Sequence, residues 1–282
     1  MAWARISCYL QLRRATMRSS VRMDFGQKLA TNRAAAVADA LRILHLNGCV
    51  PNYEHILSNT YRRVIRPGQT VLDIGAHAAL HLRHFLNLVG DSGFVAAFEP
   101  IPVMAERLVE QFGGVHNVEI HQVALSNYTG EANFNFVENA AEMSGLRQRE
   151  YFMDAPQIST IKVAIDQLDN LTDKFQKVDY IKIDVEGGEI DCLAGGKERF
   201  FKKHRPIISV EYGQPSYAAY DNSAYTLYDL ATELGYELAD IFGNVVVNRQ
   251  MWGYICDRSA WDFFMVPSER VQEWVDTMLA DE

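Results

Sequence analysis

Between Thr70 and Leu125 three apolar runs, TVLDI (70–74), FVAAFEP (94–100) and VEIHQVAL (118–125), alternate with helical stretches through about Leu88 and over Val103 to Phe112. Short apolar runs separated by helix-length segments predict parallel strands, because a parallel neighbour is reached only through a connection long enough to recross the sheet. The pattern resumes with DYIKIDV (179–185), a helix around Glu189 to Leu193, PIISVEY (206–212) and a helix near Tyr225 to Leu234. It ends with GYELADIFGNVVV (235–247) and DFFMVP (262–267), expected as an antiparallel hairpin at the sheet edge. The predicted fold class is α/β: a doubly wound, Rossmann-like sheet, mostly parallel, with a C-terminal antiparallel hairpin.

Upstream, Val37, Leu41 and Leu44 share one face of a helix that Asn47-Gly48 terminates, and a second helical stretch, 53–64, ends before Pro67-Gly68. A helical lead-in (24–66) therefore precedes the main domain (67–282). GEANFNFVE (130–138) reads as a half-exposed strand, and residues 139–160, which lose periodicity, as an inserted loop. Residues 1–23 carry Arg5, Arg13, Arg14, Arg18 and Arg22 with no acid before Asp24, and read as a disordered leader.

With 48% hydrophobic and 22% charged residues in 282, the chain can bury a full core in one domain and is not a disordered polyelectrolyte. A net charge of −9 provides no overall cationic field, so nucleic acid is not an expected partner. Cys8, Cys49, Cys192 and Cys256 are scattered without a CxxC pair, as suits isolated thiols in a reducing compartment. There is no secretory signal, and no apolar run approaches the roughly 18 residues of a membrane span, so a cytoplasmic location is expected.

The first group of residues with chemical meaning is Asp73, Gly75 and Glu99. Gly75 lets the backbone turn sharply under a ligand, and an acid ending the next strand can accept hydrogen bonds from both hydroxyls of a ribose. Two cofactor classes place an acid there, dinucleotides and S-adenosylmethionine. Dinucleotide loops require a glycine series under a diphosphate, but Asp73 occupies the first glycine position and would repel one. A sulfonium and an ammonium are compatible with it, which selects S-adenosylmethionine.

VLDIGAH, AFEPIP, VALSNYTGEANF, IKIDVEGGEIDCLAGG and RPIISVEYG, over residues 66 to 213, stand in the order seen in the FkbM-type methyltransferases, a branch of the class I S-adenosylmethionine-dependent enzymes that this chain resembles. The resemblance implies O-methylation of a sugar, polyketide or related small or glycosylated metabolite. It implies that Asp73 and Gly75 lie under the methionine moiety, that Glu99 holds the ribose, that Pro100 and Ile101 border the adenine, and that Ala124, Leu125 and Ser126 line its far side. In the glycine turn His77 stands where the family usually has Asn, and Ala79 where it has Gly. His77 retains hydrogen-bonding capacity and Ala79 adds one methyl, so binding is expected to survive unless position 79 needs a positive φ.

The second group is Asp184 and Glu186, after an apolar strand whose carboxyl end opens on the crevice, joined by Glu211 at the end of the next. A carboxylate can take the proton of an acceptor hydroxyl as the methyl moves, and Asp184, first off the strand, is the favoured base. Tyr212, Tyr217, Tyr220, Tyr225 and Tyr228 could face an acceptor or simply pack, and Arg147 and Arg149 in the inserted loop could contact it. His77, His81 and His84 recur at helical spacing without a completing ligand, so no metal is expected. The competing readings are a catalytically weak S-adenosylmethionine-binding regulatory protein and a nucleotide-linked oxidoreductase.

Overall fold

The computed structural model describes residues 21–280 apart from 152 and 259. Of the expected leader, residues 1–20 lie outside the described residues. Two helices precede the sheet, α1 (Val21–Leu46) and α2 (Tyr53–Val64). The Asn52 side chain caps α2 by accepting from the His55 N–H at 2.9 Å.

The main sheet is built from β1 (Thr70–Ile74), β2 (Phe94–Phe98), β3 (Val118–His121), β7 (Tyr180–Ile183), β8 (Ile207–Glu211), β9 (Tyr236–Asp240) and β10 (Asp262–Pro267). Its seven strands run in the order β3-β2-β1-β7-β8-β10-β9, parallel except for β10, which is antiparallel to both neighbours. Consecutive residues of a strand point to opposite faces, so each buried strand supplies two cores. On one face Leu72, Ile74, Ile181, Ile183, Ile208 and Val210 pack with α1, α5 (Glu189–Ala194), α6 (Phe200–His204), α8 (Ala224–Leu234) and α9 (Arg249–Ile255). On the other Val71, Tyr180, Phe264 and Val266 pack with α2, α3 (Leu80–Val89), α4 (Pro102–Phe112) and α10 (Val271–Leu279). The result is the α/β doubly wound layering that the alternation predicts.

Three local features differ from the sequence expectation. The run 118–125 is split: β3 stays in the main sheet, whereas β4 (Ala124–Leu125) leaves it to pair with β6 (Ile158–Asp166) in a second sheet of order β4-β6-β5, where β5 is Gly130–Val137. The expected loop 139–160 thus ends at Ile158, because β6 pairs antiparallel with all eight residues of β5. The edge pair β9 and β10 is antiparallel but is no tight hairpin. Asp240 ends β9 by accepting from the N–H groups of Phe242 and Asn244 at 2.9 Å each, and α9 fills the connection. A short helix, α7 (Gln214–Tyr217), follows β8.

Candidate active site

The carboxyl ends of β1, β2 and β7 open on a cavity of about 210 Å³. One wall is the turn after β1. Gly75 takes φ +84°, and a side-chain carbon there would lie 1.9 Å from the Asp184 carbonyl oxygen, so only glycine fits. His77 (φ 42°) and Ala79 (φ 66°) are left-handed as well. The family's glycine position does therefore need a positive φ, and Ala79 supplies it at a cost in strain. The turn is held to β2 by hydrogen bonds from the N–H groups of Gly75 and Ala76 to the Phe98 carbonyl at 2.9 and 3.1 Å.

Glu99 lines the same cavity. It is 3% exposed and accepts from the N–H of His77 at 2.9 Å and of Ile101 at 2.8 Å, one on each oxygen. Each oxygen keeps a second lone pair for a ligand hydroxyl. Burial raises its pKa to about 7, against the pull of those two N–H groups. Pro100, Ile101, Phe98, Ala124 and Leu125 complete an apolar end.

Asp73 is not on the cavity surface. It is fully buried one residue before the β1 exit, in register with Lys182 of β7, and neither carboxylate oxygen has a hydrogen-bond partner among the described residues. Burial raises its pKa to about 6, although Lys182 opposes the shift. Ser126, expected beside an adenine, is also off the cavity: it is buried, its N–H donates to the Asp166 carbonyl at 2.9 Å, and it packs on Gly195 at the end of α5. The chain turns away there because β4 has joined the second sheet.

At the opposite end stand Asp184 and Glu186, with Glu54 of α2 and His81 of α3. Lys182, which the sequence reading did not single out, organises this end. It is 3% exposed, and its Nζ donates to Asp184 Oδ2 at 2.8 Å. A lone lysine two residues before an acid in an apolar strand places both on one face, and that was the available signal. Burial alone would raise the Asp184 carboxyl, but Lys182 overrides it and holds the acid well below the usual carboxylate range. Asp184 is thus stabilised as an anion by Lys182, an arrangement that weakens it as a proton acceptor.

Glu186 is the opposite case. Burial and the neighbouring Asp184 raise its pKa to about 8 in spite of an ion pair with Arg149. Its backbone is left-handed, at φ 58°, which turns the side chain back towards the cavity. The turn is fixed by Glu189, which accepts from the N–H of Val185 at 3.2 Å and of Gly187 at 2.9 Å. Glu211 lies behind this pair rather than on the cavity wall. Single oxygens of Asp184, Glu186 and Glu211 all lie within 4.8 Å of one another, and burial with Asp184 beside it raises Glu211 strongly. With Lys182 on one acid and Arg149 on another, the grouping is an ion-pair network that shares protons.

His81 bonds to Tyr61 and lies 3.4 Å from Glu54, but burial and Lys182 lower its pKa to about 3, so it is neutral. Tyr212 and Tyr217 are buried and stacked on each other, which assigns them to packing. Among the described residues no helix is long and apolar enough to cross a membrane.

The model of the "Methyltransferase FkbM domain" family matches residues 73–238. Two relatives of known name are similar in sequence. The "2-O-methyltransferase NoeI" of Sinorhizobium fredii is 32% identical over 159 residues, covering 52% of this chain and 64% of that protein. The "AMB antimetabolite synthetase AmbE" of Pseudomonas aeruginosa is 25% identical over 234 residues, covering 70% of this chain and 11% of that protein. The chain thus spans less than two thirds of the length of either relative. Among solved structures, an O-methyltransferase from Bacillus cereus in complex with SAH aligns at 12% identity and a TM-score of 0.40, over 82% of this chain and 89% of that one. The matched span contains the glycine turn, Glu99 and the Asp184–Glu189 turn and covers more than half of the residues: the chain belongs to the FkbM-domain methyltransferases.

Proposed function

We propose that the protein is an S-adenosylmethionine-dependent O-methyltransferase acting on a hydroxyl of a sugar, polyketide or related small metabolite. The observation that carries this reading is the polarity of one cavity: a buried, doubly N–H-bonded Glu99 beside an apolar end, and a carboxylate of raised pKa, Glu186, at the other end. Family membership supports methyl transfer, and the 2-O-methyl transfer in NoeI's name supports oxygen as the acceptor.

The residues fit the cofactor. Glu99 offers lone pairs to the ribose hydroxyls, and Ile101, Phe98 and Leu125 offer an apolar slot to the adenine. The orphaned Asp73 carboxylate lies beneath the Gly75 turn, where a positive charge is favourable and a diphosphate is not. When bound, the cofactor supplies an electrophilic methyl on a positively charged sulfur. In its ionised form, which predominates above about pH 8, Glu186 accepts the hydroxyl proton of the acceptor, while Asp184, ionised beside Lys182, favours positive charge near the transfer path. The walls hold the acceptor oxygen in line and exclude water, which supplies much of the acceleration.

Calorimetric titration with S-adenosylmethionine, S-adenosylhomocysteine and NAD tests the cofactor, and incorporation of labelled methyl from S-adenosylmethionine into small-molecule extracts tests turnover. Binding of the first two but not NAD, together with methyl incorporation, is expected. Binding without incorporation would favour the regulatory protein, and binding of NAD alone an oxidoreductase.

A further inference from the structure

Residues 139–151, between β5 and β6, form a strap over the cavity. It is pinned to β5 near its centre, where Asn135 and Gly145 exchange backbone hydrogen bonds of 2.9 and 3.1 Å. Its middle supplies Ala141, Glu142, Ser144 and Leu146 to the cavity wall. Two arginines fasten the far end. Arg147 pairs with Asp221 at 2.9 Å and lies 5.0 Å over the Tyr220 ring. Arg149, only 11% exposed, donates to Ser216 Oγ at 2.8 Å and pairs through Nη2 with Glu186 Oε2.

The groups facing Glu186 are Asp184 and Lys182 from β7, Glu189 from α5, Glu211 from β8 and Arg149 from the strap. Lys182 is bonded to Asp184, so among the described residues Arg149 is the one cation paired directly with Glu186. That cation is carried by the strap itself.

We propose that Arg149 is a positioning residue that makes closure of the strap and readiness of Glu186 a single event. With the strap down, the guanidinium favours the ionised form of Glu186, keeping its pKa from rising beyond about 8, and fixes Oε2, leaving Oε1 for the acceptor hydroxyl. With the strap lifted, Glu186 is left among three other carboxyls, takes a proton and cannot accept one from the acceptor. Proton abstraction is thereby confined to an enclosed site, where water cannot compete. The inference rests on Glu186 being the base, but its test does not require turnover.

Infrared titration of the full-length protein reads the Glu186 carboxylic C=O band, identified as the band absent from Glu186→Gln. Arg149→Met should raise the titration midpoint by about one to three pH units, and Arg149→Lys should leave it near that of the unchanged protein. Hydrogen exchange across 139–151 should accelerate in Glu186→Gln, because the strap loses its anchor. An unmoved midpoint in Arg149→Met, or unaltered strap exchange in Glu186→Gln, overturns the inference. Should Arg149→Met not fold, Ser216→Ala removes only the 2.8 Å anchor of Arg149. It should raise the midpoint in the same direction, and an unchanged value would be equally decisive against the coupling.

Discussion

Ala79 carries φ 66° with its methyl fully buried. A left-handed alanine is strained by about 1–2 kcal/mol. Replacing it with glycine releases that strain but loses about 0.8 kcal/mol of methyl burial and about 0.4–1 kcal/mol through the freer unfolded chain. The terms cancel, and Ala79→Gly should leave stability within about 1 kcal/mol of the parent. Ala105, equally buried but inside α4, provides the contrast. There glycine has no strain to release and should cost about 2 kcal/mol. Urea unfolding of the two variants makes the comparison, and equal losses would show that position 79 is not left-handed in solution. At the cavity's other end, Glu186→Gln should lower turnover by roughly 10²–10⁴ while cofactor affinity is kept. Asp184→Asn should act differently, destabilising the fold by about 3–5 kcal/mol because it leaves Lys182 buried without its counterion. Near-normal turnover in Glu186→Gln would remove it from proton transfer. The residue types were legible in sequence, but their division of labour was not. Asp184 precedes Glu186 by two residues, and only the placement of Lys182 and Arg149 separates a fixed anion from a carboxyl that can exchange its proton.

At the scale of elements, hydrophobic alternation was sufficient to place the main sheet, because each of its central strands is buried on both faces and reads as a continuous apolar run. β6 went unassigned although Ile161, Val163 and Ile165 alternate with Lys162 and Ala164. Its partner β5 lies across some twenty residues with no hairpin turn to announce the pairing. β10 was assigned as a strand, but its position between β8 and β9 is a matter of topology that periodicity does not carry. The most demanding junction between elements is where the β1 exit meets the β7 exit. The Asp184 N–H donates to the Ile74 carbonyl at 3.1 Å, and Gly75 lies against the Asp184 carbonyl. Gly75→Ala sets a methyl 1.9 Å from that oxygen at φ +84°, so backbone must move in two strands at once. The variant should lose S-adenosylhomocysteine binding altogether and at least about 3 kcal/mol of stability, as overpacking and left-handed strain add. Calorimetry showing retained affinity would mean that this turn does not form the cofactor floor.

Among the described residues, several buried carboxyls are harder to ionise in the folded chain than in the unfolded one. Burial raises Asp73 to about 6, Glu99, Glu189 and Asp262 to about 7, and Glu186 to about 8. A carboxyl of this kind leaves stability unaffected while both states are protonated, below about pH 4, and destabilises fully once both are ionised, above its folded value. Between these limits the folded state binds more protons, so stability falls as pH rises. Asp184 works in the other direction, with its contribution complete by the time these groups begin to ionise. His81, held down to about 3, together with His77, His121 and His204, which are also lowered, opposes the fall only below about pH 6.5, where the unfolded imidazoles are still protonated; the raised carboxyls outnumber them. The net charge of −9 adds self-repulsion of the same sign as the buried acids. The ligand-free melting temperature should therefore decline steadily from pH 5 to pH 8, and a rise across that window in scanning calorimetry would contradict the burial of these acids. A cationic ligand placed over Asp73 should reverse part of the loss, since its charge favours the ionised carboxylate. S-adenosylmethionine and S-adenosylhomocysteine differ by that sulfonium charge and one methyl. The stabilisation by S-adenosylmethionine should therefore grow from pH 5 to pH 8 relative to that by S-adenosylhomocysteine. Parallel pH dependences for the two ligands would place the sulfonium beyond the reach of Asp73.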